Sequence, residues 1–536
     1  MTNFNRRQVL MAAAAATAAA SLPKLALAQT REETLRFVHG SVWTALTAGD
    51  LTGSRASLAL SCNVYDRLVS YGRKQAPGGG WEFDFATLEP ELCESFTLSE
   101  DGLTITFKLD PAAVWHDGSP VTAQDVKWSL DRAVSAETMS KSQLASGSIS
   151  SPEQIEIVDE TTVTVTLPEA DRLALPNLAM YLAPMINSEL AKSHATEADP
   201  WAVEWLRTNA AGSGAYKVER MSPDGAQVVL ARNEDWTGGP LPGFKRVIVQ
   251  SVPEASTRAS LLQKGDADLC LDFSPTDLEV LEAADGVKVI QTPQPSGFAA
   301  LIFNTQMAPF DDPKLRKAIS MALPYDKIFE TAANGQGAKL YDGAWEGEPE
   351  TGAFPQPMPY AQDIEAAKAM VEEAGHAGIT VPLYYTVAKA GDFDPAAALI
   401  QEALAKIGIT VEIQKTPDAQ YAEIVTAKTA PMLLERSLAL LPSPDYFFRI
   451  FLNGDSRWNF SSWNNAEVAE ILPVARYEAD EAAYDTMTRR LVQLAYEETP
   501  MVMLWKPTTK AAMAEGIEGY TMWYHFGPDF RTLDNA

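Results

Sequence analysis

Cysteine is nearly missing from this chain. Cys62, Cys93 and Cys270 are its whole supply in 536 residues, too few to staple a chain of this length into a disulfide scaffold. Two readings stay open for them: Cys62 and Cys93 oxidised as a pair, or three buried free thiols. No C-x-x-C occurs, and His39, His116, His194, His376 and His525 show no i, i+4 or H-x-x-x-C spacing, so no structural zinc site is expected. Cationic residues are outnumbered, 43 to 71, for a net charge of −28. Such a surface repels nucleic-acid phosphates and offers no polybasic membrane anchor; a solvated acidic exterior accounts for it, with attraction of cationic solutes the alternative. Beyond residue 28 no run reaches the roughly 20 apolar residues that a membrane-spanning helix needs. Catalytic signatures are missing too. A hydrolase needs a nucleophile, a base and an orienting group, and there is no G-x-S-x-G. Gly212-Ser213-Gly214 lacks the elbow pattern, and the Gly-rich Ala76–Gly80 segment lacks the Lys-Ser/Thr of a phosphate cradle, so it reads as a turn. Carboxylate pairs such as Asp392/Asp394 are expected in so acidic a chain and keep a glycosidase reading only as a remote alternative.

What is present begins with an export signal. Residues 1–28 hold no acidic residue; Arg6-Arg7 leads, Val9–Leu22 is a short, mostly alanine run, Pro23 breaks it, and Ala26-Leu27-Ala28 puts small residues at a cleavage site. Asn5-Arg6-Arg7-Gln8-Val9-Leu10-Met11 is similar to a twin-arginine signal, departing at Asn5, Val9 and Met11. Cleavage after Ala28 and a periplasmic destination by the twin-arginine route are expected; an ordinary secretory signal is the alternative. Losing Arg6, Arg7 and Lys24 takes the net charge from −28 to −31.

The 508 residues left of 536 exceed what one core usually serves, so at least two lobes are expected. Strand and helix patterns alternate, as in an α/β protein. Thr104–Leu109 alternates β-branched or aromatic residues with polar ones, as a half-buried strand does. Asp117-Gly118 supplies a turn, and Thr122 with Asp125 three residues on starts a helix over Asp125–Arg132 with a capping box. Further strands are expected at Thr161–Leu167, Gln227–Leu230, Arg246–Val252, Ala299–Phe303, Thr380–Tyr385 and Thr410–Gln414. Ile364, Ala367, Met370, Val371 and Ala374 fall at helix period, closed by Gly375. Gly391–Ala405 reads as another helix, and Asp445 as the cap of a Tyr446–Leu452 helix.

The wording of these segments carries a resemblance. DG-x-T-x-T-F-x-L from Asp101, followed by W-H-DG-x-P-x-T-A-x-DV-x-x-S-x-x-R ending at Arg132, closely resembles the lobe-one signature of the bacterial extracellular solute-binding proteins of the peptide/nickel type, family five. Asn63–Ser70 and Glu89–Ser95 are similar to the family's early helix and the strand entry after it. Gly212-Ser213-Gly214-Ala215-Tyr216 resembles its G-T-G-P-Y turn, with Ser and Ala as departures. Val252–Arg258 with Gly265-Asp266-x-Asp268, and Pro309–Ile328, resemble the segments near the first lobe crossing and in lobe two. The matches are collinear from about Leu35 to the C-terminus, and they are specific for the family but not for a ligand.

The resemblance implies a two-lobed α/β periplasmic-binding-protein fold (type II, cluster C-like). It implies a discontinuous lobe one at 29–272 plus 505–536, including an extra subdomain, and a lobe two at 273–504. Hinge crossings would lie near Phe273 and Trp505. It also implies a monomeric receptor without a cofactor that closes on a small solute and delivers it to an ABC-importer permease. A chemotaxis receptor or periplasmic chaperone on the same fold is the alternative, and a secreted hydrolase the more distant one.

For the solute, the family's peptide receptors pair the ammonium with an Asp in a W-x-x-D segment before x-P-x-x-F-F. Here that stretch is Ser443–Phe448, and the Trp and Asp positions fall on Ser437 and Leu440. Leu cannot pair an ammonium, and a buried unpaired charge costs several kcal/mol. The carboxylate-clamping Arg of dipeptide receptors falls near Gly391, two residues from Lys389. Ordinary dipeptides are therefore not the expected solute. An oligopeptide-like compound, opine, sugar conjugate, polyol or modified peptide with an anionic group fits better, with Arg436 and Lys389 as nearby cations. Candidate binding residues are Trp43, Trp345, Tyr385, Lys389, Glu435, Arg436 and Ser437. Against them stand blander roles, core packing for the tryptophans and a Glu435–Arg436 pair.

Overall fold

A computed structural model describes residues 30–47, 55–76, 80–342, 345, 347–524 and 527–536. The expected signal peptide and its cleavage site lie outside the described residues. Two large sheets organise the chain. The first has seven strands in the order Val287–Pro293, Thr508–Ala514, Leu269–Leu271, Thr34–His39, Arg246–Ser251, Gln227–Arg232 and Tyr216–Met221. Thr34–His39 runs parallel to both its neighbours, with Phe37 opposite Val249 on one side and Leu269 on the other. The remaining pairings are antiparallel. The second sheet has six strands in the order Ala338–Lys339, Met501–Lys506, Gly297–Phe303, Met432–Leu438, Thr380–Thr386 and Thr410–Thr416. Gly297–Phe303 is buried along its whole length, as a near-continuous apolar strand covered on both faces must be.

A four-stranded sheet of Cys93–Leu98, Thr104–Leu109, Thr162–Thr166 and Ile155–Ile157 forms the extra subdomain, with the Ala123–Ser135 helix against it. The capping box is present: the Thr122 hydroxyl accepts from the Asp125 N–H at 3.3 Å, and the Asp125 carboxylate accepts from the Thr122 N–H at 3.0 Å. Asp125 also takes hydrogen bonds from Trp115 Nε1 (3.3 Å) and the Ser188 N–H (2.9 Å). Three residues of the longest family motif thus pin this subdomain together.

Most expected elements lie within one or two residues of those seen, because each rests on local periodicity. Two expectations fail for nonlocal reasons. First, a lobe boundary at 272/273 would put Val287–Pro293 in the second sheet, yet that strand pairs with Thr508–Ala514 in the first. The intervening Pro275–Glu282 helix packs back on it. Likewise Trp505 belongs to the second sheet, opposite Ala299. The chain therefore passes between sheets at Gln294–Ser296 and at Pro507, where Pro295 and Pro507 have no N–H to offer a ladder. Second, Asp445 does not cap a helix. The helix is Pro444–Phe451 with Ser443 at the N-cap position. The buried Asp445 carboxylate instead takes the hydroxyls of Ser443 (2.5 Å) and Tyr484 (2.7 Å) and pairs with Arg449 at 3.2 Å.

The cysteines are three free, buried thiols, with Cys93 donating to the Leu68 carbonyl at 3.0 Å. The segment beside the extra subdomain's sheet also meets the helices of the second lobe. Tyr446 donates to Gln143 at 2.9 Å. Arg476 pairs with Asp171 at 3.0 Å and also reaches the Ala145 carbonyl at 2.9 Å.

Candidate functional site

A cavity of about 330 Å³ opens where the two sheets meet at the crossings. The first sheet contributes Asp272 and Phe273, just past the Leu269–Leu271 strand, and Thr508, Thr509 and Lys510. The second contributes Trp505, Arg436, and the start of the Ala390–Lys406 helix through Gly391 and Asp392; Gln294 and Pro507 close the base.

Asp272 has a positive φ of 63°, costly for a residue with a side chain. Arg258 holds it there: its guanidinium donates to the carbonyls of Leu271 (3.0 Å), Val252 (2.5 Å), Pro253 (2.7 Å) and Asp272. The Asp272 carboxylate accepts the Gly40 N–H at 3.0 Å. The turn ends the pairing of Leu269–Leu271 with Thr508–Ala514 at Leu271 opposite Ala511, so Lys510 is paired on its other side alone, opposite Gln291.

Of the expected binding residues, Lys389 and Arg436 line the cavity, as do the expected hinge residues Phe273 and Trp505. Trp43, Trp345, Tyr385, Glu435 and Ser437 are not among the lining residues. Trp43 is buried in the first lobe's core. Trp345 stands edge-on to Tyr496, ring centroids 5.1 Å apart. Tyr385 is buried and donates to Asp394 at 2.6 Å, and Ser437 pairs with Phe298 inside the second sheet. Glu435 pairs with Lys389, not with the side chain of Arg436. Its other oxygen accepts the Tyr421 hydroxyl at 2.8 Å, and this buried carboxylate, after burial itself, pushes the Tyr421 phenol far up. Arg436 pairs with Asp392.

Lys510, which sequence reasoning missed, is different. Its ammonium has no hydrogen bond or ion pair among the described residues, and burial lowers its pKa. In sequence it is one lysine ahead of the strand run Ala-Ala-Met, with no periodicity or motif to mark it. Gln336, also missed, lines the cavity with a buried, unpartnered Oε1. Leu440, expected at the position of the peptide receptors' Asp, packs against the core and is not among the lining residues.

Among the described residues the lining holds no histidine, cysteine or tyrosine. It is a polar recess with an aromatic wall of Phe273 and Trp505, suited to holding a molecule.

Residues 87–459 match the family described as bacterial extracellular solute-binding proteins, family 5 Middle. The chain is 27% identical over 469 residues to a probable D,D-dipeptide-binding periplasmic protein, DdpA, of Escherichia coli (strain K12), covering 85% of each. Its fold is similar to that of the ABC transporter-associated periplasmic binding protein DppA of Helicobacter pylori in complex with peptide STSA. There the TM-score is 0.75 at 23% identity, over 94% of this chain and 98% of that one. It is also similar to AgaA from A.tumefacien R10 in complex with agropinic acid, with a TM-score of 0.74 at 24% identity, over 94% and 99%. With two sheets joined by paired crossings, a cavity between them and a family match over most of its length, the chain belongs to the family 5 bacterial extracellular solute-binding proteins, periplasmic receptors that capture a small solute between two lobes and deliver it to an ABC-transporter permease.

Proposed function

We propose that the solute sits in the cavity at the crossings and is something other than an unmodified dipeptide. The observation that carries this reading is the pairing of the second lobe's two cations in the lining: Lys389 is taken by Glu435 and Arg436 by Asp392, while Leu440 holds the sequence position that the resemblance assigns to an ammonium partner. A dipeptide's ammonium would be buried where the lining carboxylates, Asp272 and Asp392, are already engaged by the Gly40 N–H and by Arg436, at a cost of several kcal/mol. An opine, sugar conjugate or modified peptide brings hydroxyls and amides suited to the polar rim. In this reading the lobes hinge at Gln294–Ser296 and Pro507, flanked by Phe273 and Trp505. The receptor works as a monomer, binds without turnover and is exported by the twin-arginine route.

The test begins with Gly391, where an added Cβ meets nothing within 4 Å. Gly391→Phe should fold normally and fill the cavity. Wild-type protein purified from its native periplasm should release an unaltered small molecule on denaturation, and the variant should release none. Calorimetry across a dipeptide library should find no sub-micromolar ligand. An equal load on the variant, or a tight unmodified dipeptide, would defeat the proposal. Replacing Arg6 and Arg7 with lysines should leave precursor in the cytoplasm; normal periplasmic accumulation would remove the twin-arginine route.

A further inference from the structure

We infer that Lys510 is the specificity anchor of the cavity and that the solute is a small acid whose carboxylate or phosphate docks on it. The inference rests on the proposed solute site and adds the class of molecule.

The charges around the cavity divide cleanly. Lys389 with Glu435 and Arg436 with Asp392 are closed pairs, formed by side chains of the second lobe. Lys510 comes from the first lobe, and its ammonium has no hydrogen bond or ion pair among the described residues. Asp272, its neighbour beyond the end of the ladder, is turned to the Gly40 N–H by the Arg258 clamp. Burial depresses the Lys510 ammonium; Asp392 and Glu282 favour its charge from a distance and Arg436 opposes it. A half-buried ammonium with no carboxylate partner in the cavity is open to an anion, which gains from pairing with a charge that burial has partly stripped of water. Lysine suits this role because its compact ammonium accepts an oxyanion from several directions.

A second unmet group points the same way. Gln336 Oε1 is buried in the lining without a donor, and such acceptors are filled in native complexes. A solute with hydroxyl or amide donors supplies one. The volume, about 330 Å³, lies at the small end of ligand pockets. Together these describe a compact acid bearing hydroxyls or amides, with an apolar edge for Trp505 and Phe273.

The experiment uses matched probes: gluconate against gluconamide, galacturonate against galactose, and glycerol phosphate against glycerol. Each is read by melting temperature and calorimetry. At least one acid should stabilise the wild-type protein while its neutral counterpart does not; the carboxylate and phosphate arms tell the two anions apart. Lys510→Met should weaken that acid about tenfold or more, and Lys510→Arg should retain part of the affinity. Without ligand, Lys510→Met should melt no lower than wild type, because a desolvated charge has been removed. Equal binding of neutral probes, no binding by any acid, or unchanged affinity in Lys510→Met would overturn the inference. If Gly391→Phe still binds the acid, the solute site itself is misplaced. If Gly391→Phe loses binding and Lys510→Met keeps it, only the anchor fails.

Discussion

The backbone N–H of Gln294 donates to the carbonyl of Pro507 at 2.9 Å, so the two segments that cross between the sheets are tied to each other at the base of the cavity. In the proposed hinge motion, a tie at this point would keep the crossings in step while the lobes on either side rotate.

Space at this tie is limiting. A Cβ on Gly297 would lie 2.7 Å from Gln294 Cβ and 2.6 Å from its Oε1. Gly297→Ala should therefore cost about 1–3 kcal/mol, the usual range for overpacking, seen as a lower denaturation midpoint. A variant as stable as wild type would mean that the crossings yield freely.

The contact between the extra subdomain and the second lobe should govern opening. Arg476 and Asp171 are 3.0 Å apart, with the Asp171 side chain fully buried, and Ser148 donates to the same carboxylate at 2.8 Å. Asp171→Ala leaves Arg476 without its charge partner at the lobe interface, a loss of about 3 kcal/mol when a buried pair is broken from one side. The variant should show a larger radius of gyration in solution scattering and faster solute release. An unchanged scattering profile would count against this contact as a closing latch.

Acid should destabilise the fold through its histidines. Burial lowers His39 and His116 to about 4 from an ordinary 6.5, so between those values the unfolded chain binds protons that the folded one refuses. Stability is then full above pH 6.5 and is lost as pH falls towards 4. Asp66, raised to about 6 by burial and then by Glu91, opposes this with one proton of the other sign. The net slope from these three groups should not exceed about 1.4 kcal/mol per pH unit. His39→Gln should flatten it in urea titrations across that window; an unaltered slope would show that His39 titrates normally in the fold.

The thiols should be inert. Cys62, Cys93 and Cys270 are each pushed up to about 12, chiefly by burial, and the thiolate is the reactive form. Iodoacetamide should leave the native protein unlabelled and add three groups in urea, and reductant should not change the melting temperature. A species that gains two protons in mass on reduction would reveal a disulfide.

The sequence by itself determined what is local. The Thr104–Leu109 strand, the Thr122–Asp125 capping box and the helix that closes at Gly375 are written in periodicity and caps within a dozen residues. The family could be read from these same segments, because its motif residues Trp115, Thr122 and Asp125 bind one another and so appear close together in the chain. Tertiary structure decided what depends on distant partners. Val287–Pro293 joined the first sheet because Thr508–Ala514, more than two hundred residues on, offered it a ladder. Asp445 became a buried acceptor because Tyr484, from another helix, reached it. The site shows the same division. Lys389, Glu435 and Arg436 stood out as charges at strand ends, but whether a cation is free for a solute depends on which carboxylate folds against it. Glu435 and Asp392 closed those pairs, and the left-handed turn at Asp272 left Lys510 open. Pairing energy is a property of distances, and the order of residues does not contain it.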